Sequence, residues 1–317
     1  MAKNISRIRF LRLGAGLTGS LLLNPFRPDS NIMSDDDKLL IKDPILRTIP
    51  SSGEKLPAIG MGTWLTFDAG DSEPRRQDLK EVLRIFHENG GKLIDSSPMY
   101  GSSEKVVGDL VGDLNLRKHF FVATKVWTNG EANGIGQMQQ SIQKMRTGVM
   151  DLMQVHNLVD VRTHLATLRK WKAEGKIRYI GLTHYVVSAY PELMELIKTE
   201  KPDFVQFNYN IGVRDAEQKL LPFCADNGVA VINNRPFDGG GLFKKIQGKA
   251  LPPWAKEFES ENWAQFFLKY IISHPAVTCA IPATSNPAHM AENIGAAYGL
   301  LPNVSMRKKM VDFFEKL

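Results

Sequence analysis

From about residue 36 onward the chain alternates two kinds of stretch. Short apolar runs, rich in Val, Ile, Leu and Phe, read as buried strands at 57–62, 92–95, 119–125, 151–155, 177–182, 204–208, 229–232 and 276–281. Between them lie longer stretches whose apolar residues recur at helical spacing. Val82, Ile85 and Phe86, or Val106, Val107, Leu110 and Val111, would give a helix one buried face. These stretches predict helices at 74–89, 103–114, 136–147, 163–174, 191–199, 217–227, 262–273 and 286–297. Asn89-Gly90-Gly91 and Asn227-Gly228 stand where a helix should stop. The strand-then-helix unit repeats without a break in composition or a Pro/Gly-rich linker. A regular βα succession predicts one parallel sheet, and eight units close it into a single (β/α)8 barrel, the TIM-barrel architecture, over 36–317. Residues 47–55, with Ser51-Ser-Gly53 as the turn, predict an N-terminal β-hairpin ahead of the first barrel strand. The connection 237–261 is long and carries Gly239-Gly-Gly241, Pro252-Pro253 and Trp254. Its place after the seventh strand predicts a loop able to close over a site on that face.

The N-terminal segment breaks this pattern. A basic stretch ending at Arg12 precedes the apolar run Leu13–Leu23, which is too short to span a bilayer but has the length of a signal-peptide core. Ser6-Arg-Ile-Arg-Phe-Leu-Arg12 resembles the twin-arginine export pattern, with Ile8 in place of the second arginine and no clear cleavage site following. Residues 1–35 are therefore read as a signal or disordered segment. Export would make the protein periplasmic, and retention cytoplasmic. Export machinery or a membrane surface enters as a partner only through this segment.

Composition is that of an ordinary globular chain, with 317 residues, 43% hydrophobic and 23% charged. The net charge of +6 suggests nucleic acid until its location is considered. Lys3, Arg7, Arg9, Arg12 and Arg27 against Asp29 put most of the surplus in the first thirty residues. The body is nearly neutral and lacks the basic face that phosphate binding requires, so no nucleic-acid partner is expected. Two cysteines, Cys224 and Cys279, exclude a disulfide framework and a Cys-rich zinc site, and read as buried thiols.

Candidate chemistry gathers near the ends of successive strand-like runs, where a parallel barrel places its active site. Asp95 and Tyr100 fall in Lys92–Gly101, Lys125 in His119–Trp127, and His156 closes Val149–His156. A phenol has a reference pKa near 10. An ammonium beside it should favour the phenolate, so Lys125 is expected to make Tyr100 more acidic and Asp95 to keep Lys125 charged. His156 could polarise a bound carbonyl or relay a proton. Each residue alone has a plain structural explanation as a cap, a loop aromatic, a solvated charge or a bonded strand end. Together they form a proton-delivery unit. No side chain gives up hydride, so a reduction here requires a nicotinamide cofactor.

These residues sit in motifs that resemble the aldo-keto reductase family. Ile94-Asp-Ser-Ser-Pro-Met-Tyr-Gly101 is similar to its Asp-Thr-Ala-x-x-Tyr-Gly signature, Thr124-Lys125 to its strand-three lysine, and Asp151-Leu-Met-Gln-Val-His156 to Asp-Leu-x-x-x-His. Gly60-Met-Gly-Thr-Trp64 and Gln206-Phe-Asn-Tyr-Asn210 match its first- and sixth-strand motifs, and the likeness runs from Leu56 to Ala297. The resemblance implies a nicotinamide site along Gly62, Thr63, Trp64, Asp95, Thr183, His184, Gln206, Asn234, Arg235 and Pro236. Thr183-His184 stands where a Ser-Asn pair usually clasps the carboxamide. Asn234 stands where a stacking tyrosine is common, and Arg235, at a usual serine, could pair with a phosphate instead. Thr284, Ser285, Asn286, His289, Glu292 and Asn293 fall in the adenosine-phosphate motif, with Ala283 and His289 at positions where many members carry lysine and arginine.

The resemblance thus implies an NAD(P)H-dependent oxidoreductase of the alcohol dehydrogenase or carbonyl reductase type, with NADP(H) favoured over NAD(H). It would reduce an aldehyde or ketone to an alcohol with Tyr100 as general acid. Trp64, Tyr100, Trp127 and His156 would contact the carbonyl substrate, and the tryptophans favour one with an apolar or aromatic part. Two alternatives are a non-catalytic NADPH-binding sensor or ancillary subunit on the same fold, and a metal-dependent barrel hydrolase. The seven histidines show no ligand pairing, and no metal is expected.

Overall fold

The computed structural model describes residues 43–317. The export reading and the boundary at residue 35 concern residues 1–42 and lie outside the described residues. The described chain opens with an antiparallel hairpin, β1 (Leu46–Thr48) against β2 (Lys55–Pro57), in which Leu46 pairs with Pro57. Eight parallel strands follow: β3 (Met61–Gly62), β4 (Leu93–Asp95), β5 (Phe121–Val126), β6 (Met150–His156), β7 (Ile177–Thr183), β8 (Phe204–Asn208), β9 (Ala230–Asn234) and β10 (Cys279–Ala280). Each pairs with its neighbour in chain order. Parallel bridges from Ile59 to Ala280 and from Gly62 to Ala283 join the last strand to the first and close the barrel. The expected (β/α)8 architecture and its leading hairpin are both present.

The strands are buried on both faces, as a parallel barrel wrapped in helices requires. Alternate side chains divide into two cores. Ile94, Val122, Met153, Val155, Val205 and Val231 point outward and pack under the helices. Leu93, Phe121, Leu152, Tyr179, Phe204 and Ile232 point inward, where Ile49 and Leu56 of the hairpin join them and plug the end at which the strands begin.

The major helices are α1 (Glu73–Glu88), α2 (Ser103–Asp113), α3 (Glu131–Lys144), α4 (Val161–Ala173) and α5 (Tyr190–Glu200). α1 begins with proline in its first turn and buries Leu79, Val82, Leu83 and Phe86. The helix expected at 217–227 is two short ones, α6 (Asp215–Gln218) and α7 (Leu220–Asp226), interrupted at Lys219. Pro222 explains the break. In one continuous helix its ring would strike the Gln218 carbonyl, whereas in the first turn of α7 it is tolerated.

The connection 237–261 is not a free loop. It contains α8 (Gly241–Lys245) and a 3-10 segment, Pro253–Phe258, with Leu242, Ala255 and Phe258 buried. Trp254 packs against Phe266 of α9 (Trp263–Ile272) and Phe313 of α11 (Val304–Glu315), so that end of the segment is fastened to the helical shell rather than poised over a site. α10 (Pro287–Gly295) follows β10. Asn262, Asn286 and Asn303 cap α9, α10 and α11, each accepting a backbone N–H at 2.8–2.9 Å. α11 was not anticipated in the sequence. Both cysteines are buried free thiols, as expected.

Candidate active site

Side-chain parity along the strands builds the site. On each inward face the apolar floor gives way, at the next positions of the same parity, to polar groups: Asp95 above Leu93, Lys125 above Phe121, Gln154 and His156 above Leu152, Thr183 above Tyr179, Gln206 above Phe204 and Asn234 above Ile232. A polar layer sealed this deeply must satisfy its own hydrogen bonds. Lys125, fully buried, donates to Asp95 Oδ2 at 2.5 Å and to the Ser96 carbonyl at 2.7 Å. Asp95 Oδ1 accepts from the Gln154 amide at 2.8 Å and the Gln206 amide at 3.0 Å. Gln206 Oε1 in turn accepts from Thr183 Oγ1 at 3.2 Å and Asn234 Nδ2 at 3.4 Å. Gly181 leaves the space that Gln154 fills, since a Cβ there would stand 2.7 Å from Gln154 Cγ.

Tyr100 differs from the other three members of the tetrad. It lies not at a strand end but on the loop after β4, bent back so that its ring centroid is 5.1 Å from Lys125 Nζ. The Lys125 ammonium there favours the ionised form of its hydroxyl. That loop is pinned by Asp68, whose Oδ1 accepts from the Ser102 N–H and hydroxyl at 2.8 and 2.7 Å. Gly101 has φ +60°, and a Cβ on it would meet the Asp68 carboxylate at 2.5 Å, so only glycine suits the turn. His156 completes the group, edge-on to Tyr100 with centroids 6.0 Å apart and its Nδ1 3.0 Å from Ser97 Oγ.

The electrostatics correct one expectation. Burial pushes the Tyr100 phenol above its usual range; Lys125 pulls it down and Asp95 pushes it up, and the net direction is upward. The phenol is not made acidic in the free protein but is held protonated, the state a proton donor needs. Burial alone would lower the Lys125 pKa, but Asp95 and Tyr100 outweigh it and keep the ammonium charged. His156 is pushed down to about 3 by burial, then by Lys125 and His184, so its imidazole is neutral at physiological pH. The neutral ring suits orienting a carbonyl rather than relaying a proton as imidazolium.

The remaining sequence-predicted residues divide into those at the barrel mouth and those engaged elsewhere. Gly62 sits at the closing seam, where its N–H donates to the Pro282 carbonyl at 3.0 Å. Thr63 is buried with Oγ1 2.9 Å from Ser96 Oγ, so its hydroxyl serves the β4 end. Trp127 lies beside His156 with centroids 6.3 Å apart, and Trp64 stands exposed just past β3. His184 turns its Nδ1 to the backbone N–H groups of Tyr185 and Val186, which leaves the carboxamide side to Thr183, Gln206 and Asn234. Pro236 is buried behind Arg235. At the α10 end, Thr284 Oγ1 accepts the Asn286 N–H at 3.0 Å and Asn286 Oδ1 caps the helix, while Ser285 and His289 are exposed, Glu292 is half-buried and Asn293 is buried. Two sealed atoms lack partners at the mouth, Asn234 Oδ1 and Arg235 Nε. The donor set of this rim, the hydroxyl and amide groups of Thr183, Gln206 and Asn234 beside the Arg235 guanidinium, fits the carboxamide and anionic oxygens of a nicotinamide dinucleotide.

Ser96, Ser97 and Gln154 were not anticipated. Gln154 shares strand parity with His156 and neighbours Lys125 in register, a signal available in the sequence. Among the described residues no group of three or more His, Cys, Asp or Glu side chains is arranged to hold a metal ion, and no helix is long and apolar enough to cross a membrane.

A closed parallel barrel with a phenol, an ammonium, a carboxylate and a neutral imidazole at its C-terminal mouth defines the class of a barrel oxidoreductase site. The sequence model described as the Aldo/keto reductase family matches residues 58–308, and the chain belongs to that family. It is 31% identical over 255 residues to the methylglyoxal reductase YeaE of Escherichia coli (strain K12), covering 78% of this chain and 88% of that protein. It is 26% identical to an NADH-specific methylglyoxal reductase of the same organism over 76% of this chain and 90% of that one. The crystal structure of an aldo/keto reductase from Klebsiella pneumoniae in complex with NADP and acetate superposes with a TM-score of 0.71 at 25% identity, covering 86% of this chain and 96% of that one.

Proposed function

We propose that this enzyme reduces an aldehyde or ketone to the alcohol, with Tyr100 as the proton donor and NADPH as the favoured cofactor. The observation that carries the reading is the buried Lys125–Asp95 pair set against a Tyr100 phenol that burial keeps protonated. Thr183, Gln206, Asn234 and Arg235 would hold the nicotinamide half, and Thr284, Ser285, Asn286, His289, Glu292 and Asn293 the adenosine half. The bound nicotinamide supplies hydride to the carbonyl carbon. As charge grows on the carbonyl oxygen, the phenol gives up its proton and Lys125 stabilises the phenolate left behind. Asp95 keeps that ammonium in place, and neutral His156 donates a hydrogen bond to the same oxygen.

The exposed Trp64, Leu65, Met99, Trp127 and Tyr185 lie on the loops after β3, β4, β5 and β7, at the same end of the barrel as the tetrad. They favour a substrate with an apolar or aromatic part. The methylglyoxal reductases among the relatives support a small reactive carbonyl as the core of that substrate. For NADPH over NADH the support is Thr284 and Ser285, both suited to a phosphate at the adenosine half, and the NADP-bound relative; the NADH-specific relative keeps NADH as the second reading. With the tetrad intact, nothing favours a non-catalytic role.

Tyr100→Phe is expected to retain NADPH binding, measured by fluorescence titration, while kcat for carbonyl reduction falls by about 10²–10⁴-fold. Unchanged turnover would remove Tyr100 from the reaction.

A further inference from the structure

The loop between β4 and Tyr100 carries a hydroxyl that the reading above leaves unused. Ser97 is wholly buried with Oγ 3.0 Å from His156 Nδ1, and its oxygen also receives the Met99 backbone N–H at 3.4 Å. A serine hydroxyl brings one proton, and so does a neutral imidazole. If the ring proton sat on Nδ1, it would point at Ser97 Oγ, and the serine's own proton would have no acceptor among the described residues. With the ring proton on Nε2, the serine donates to Nδ1 and both groups are satisfied. Nε2 has no protein partner among the described residues and is not among the sealed polar atoms, so it faces open space at the mouth.

We propose that Ser97 is a positioning residue that donates to Nδ1, holds His156 as the Nε2–H tautomer and thereby presents an N–H to the oxygen of a bound carbonyl. The depressed basicity of His156 agrees, since it leaves the ring a single proton to place. The tautomer assignment stands on the hydrogen bonds alone; its use in orienting substrate rests on the carbonyl-reduction reading.

The test is a long-range ¹H–¹⁵N correlation spectrum of the full chain labelled with ¹⁵N-histidine, with the His156 signals identified by their loss in His156→Gln. The wild-type ring is expected to carry its proton on Nε2, and Ser97→Ala to shift it toward a mixture of tautomers while Ser97→Thr keeps the wild-type pattern. In kinetics, Ser97→Ala should lower kcat about tenfold, the worth of one hydrogen bond, with KM for the cofactor unchanged, and Ser97→Thr should restore it. A wild-type ring protonated on Nδ1, or identical tautomer populations in wild type and Ser97→Ala, would overturn the proposal. A protein that shows the expected spectra yet reduces no carbonyl would overturn the functional reading and support the tautomer assignment.

Discussion

At the scale of single residues, the site is governed by what burial does to ionisable groups. Lys125 and Asp95 are almost completely removed from water, so each is tolerable only because the other is there, and losing either would leave an unpaired buried charge. The same burial acts on the two groups proposed to meet substrate, raising the phenol and lowering the imidazole. The pH dependence follows from these directions. Reduction needs protonated Tyr100, which is lost only as pH rises through a pKa above the usual phenol value. His156, titrating at about 3, stays neutral throughout. The kcat for reduction is therefore expected to be flat from about pH 5 to about pH 9, without the limb near 6.5 that an ordinary histidine would add. A bell centred near neutrality, recorded in a pH–rate profile at saturating cofactor, would contradict this assignment of protonation states.

At the scale of elements, parity decides which residues can meet. Asp95, Lys125 and His156 were legible because each ends an apolar run, and in a barrel strand the C-terminal inward positions converge. Tyr100 was legible only through its motif: no periodicity places it, and the Asp68–Ser102 contact and the turn at Gly101 carry it to Lys125. α11 escaped the sequence reading because the barrel pattern is complete without it. It is fastened by Arg307, which bonds Glu217, the Tyr209 hydroxyl at 2.6 Å, Ser273 Oγ at 2.7 Å and the Tyr270 carbonyl, and lies over the Tyr270 ring. Arg307→Ala should cost about 2 kcal/mol in urea unfolding. That is less than the roughly 3–5 kcal/mol of a fully buried pair, because Glu217 is partly exposed. A midpoint equal to that of wild type would show that α11 is held by its apolar face alone.

At the scale of the whole molecule, closure of the barrel brings strands remote in sequence to one mouth, so the proposed cofactor site exists only in the folded state. NADPH bound there would stabilise the folded state only, so at a hundred times its Kd it should add about 2.7 kcal/mol to stability. Thermal unfolding should accordingly shift upward by several degrees with NADPH, and by less with NADH at equal concentration. Equal shifts would remove the preference for the 2′-phosphate.

The order of apolar runs and amphipathic stretches was enough, by itself, to predict a parallel sheet buried on both faces by helices, and the eight uninterrupted units pointed to its closure as a barrel. It also marked the side chains proposed to carry the chemistry, since strand ends and motif spacing are local properties. What only the tertiary structure decided was their state: a phenol kept protonated, an imidazole kept neutral, and a lysine whose partners come from β4 and the loop that follows it. Those states depend on distance from water and on neighbours remote in sequence, and both come into being only when the barrel closes.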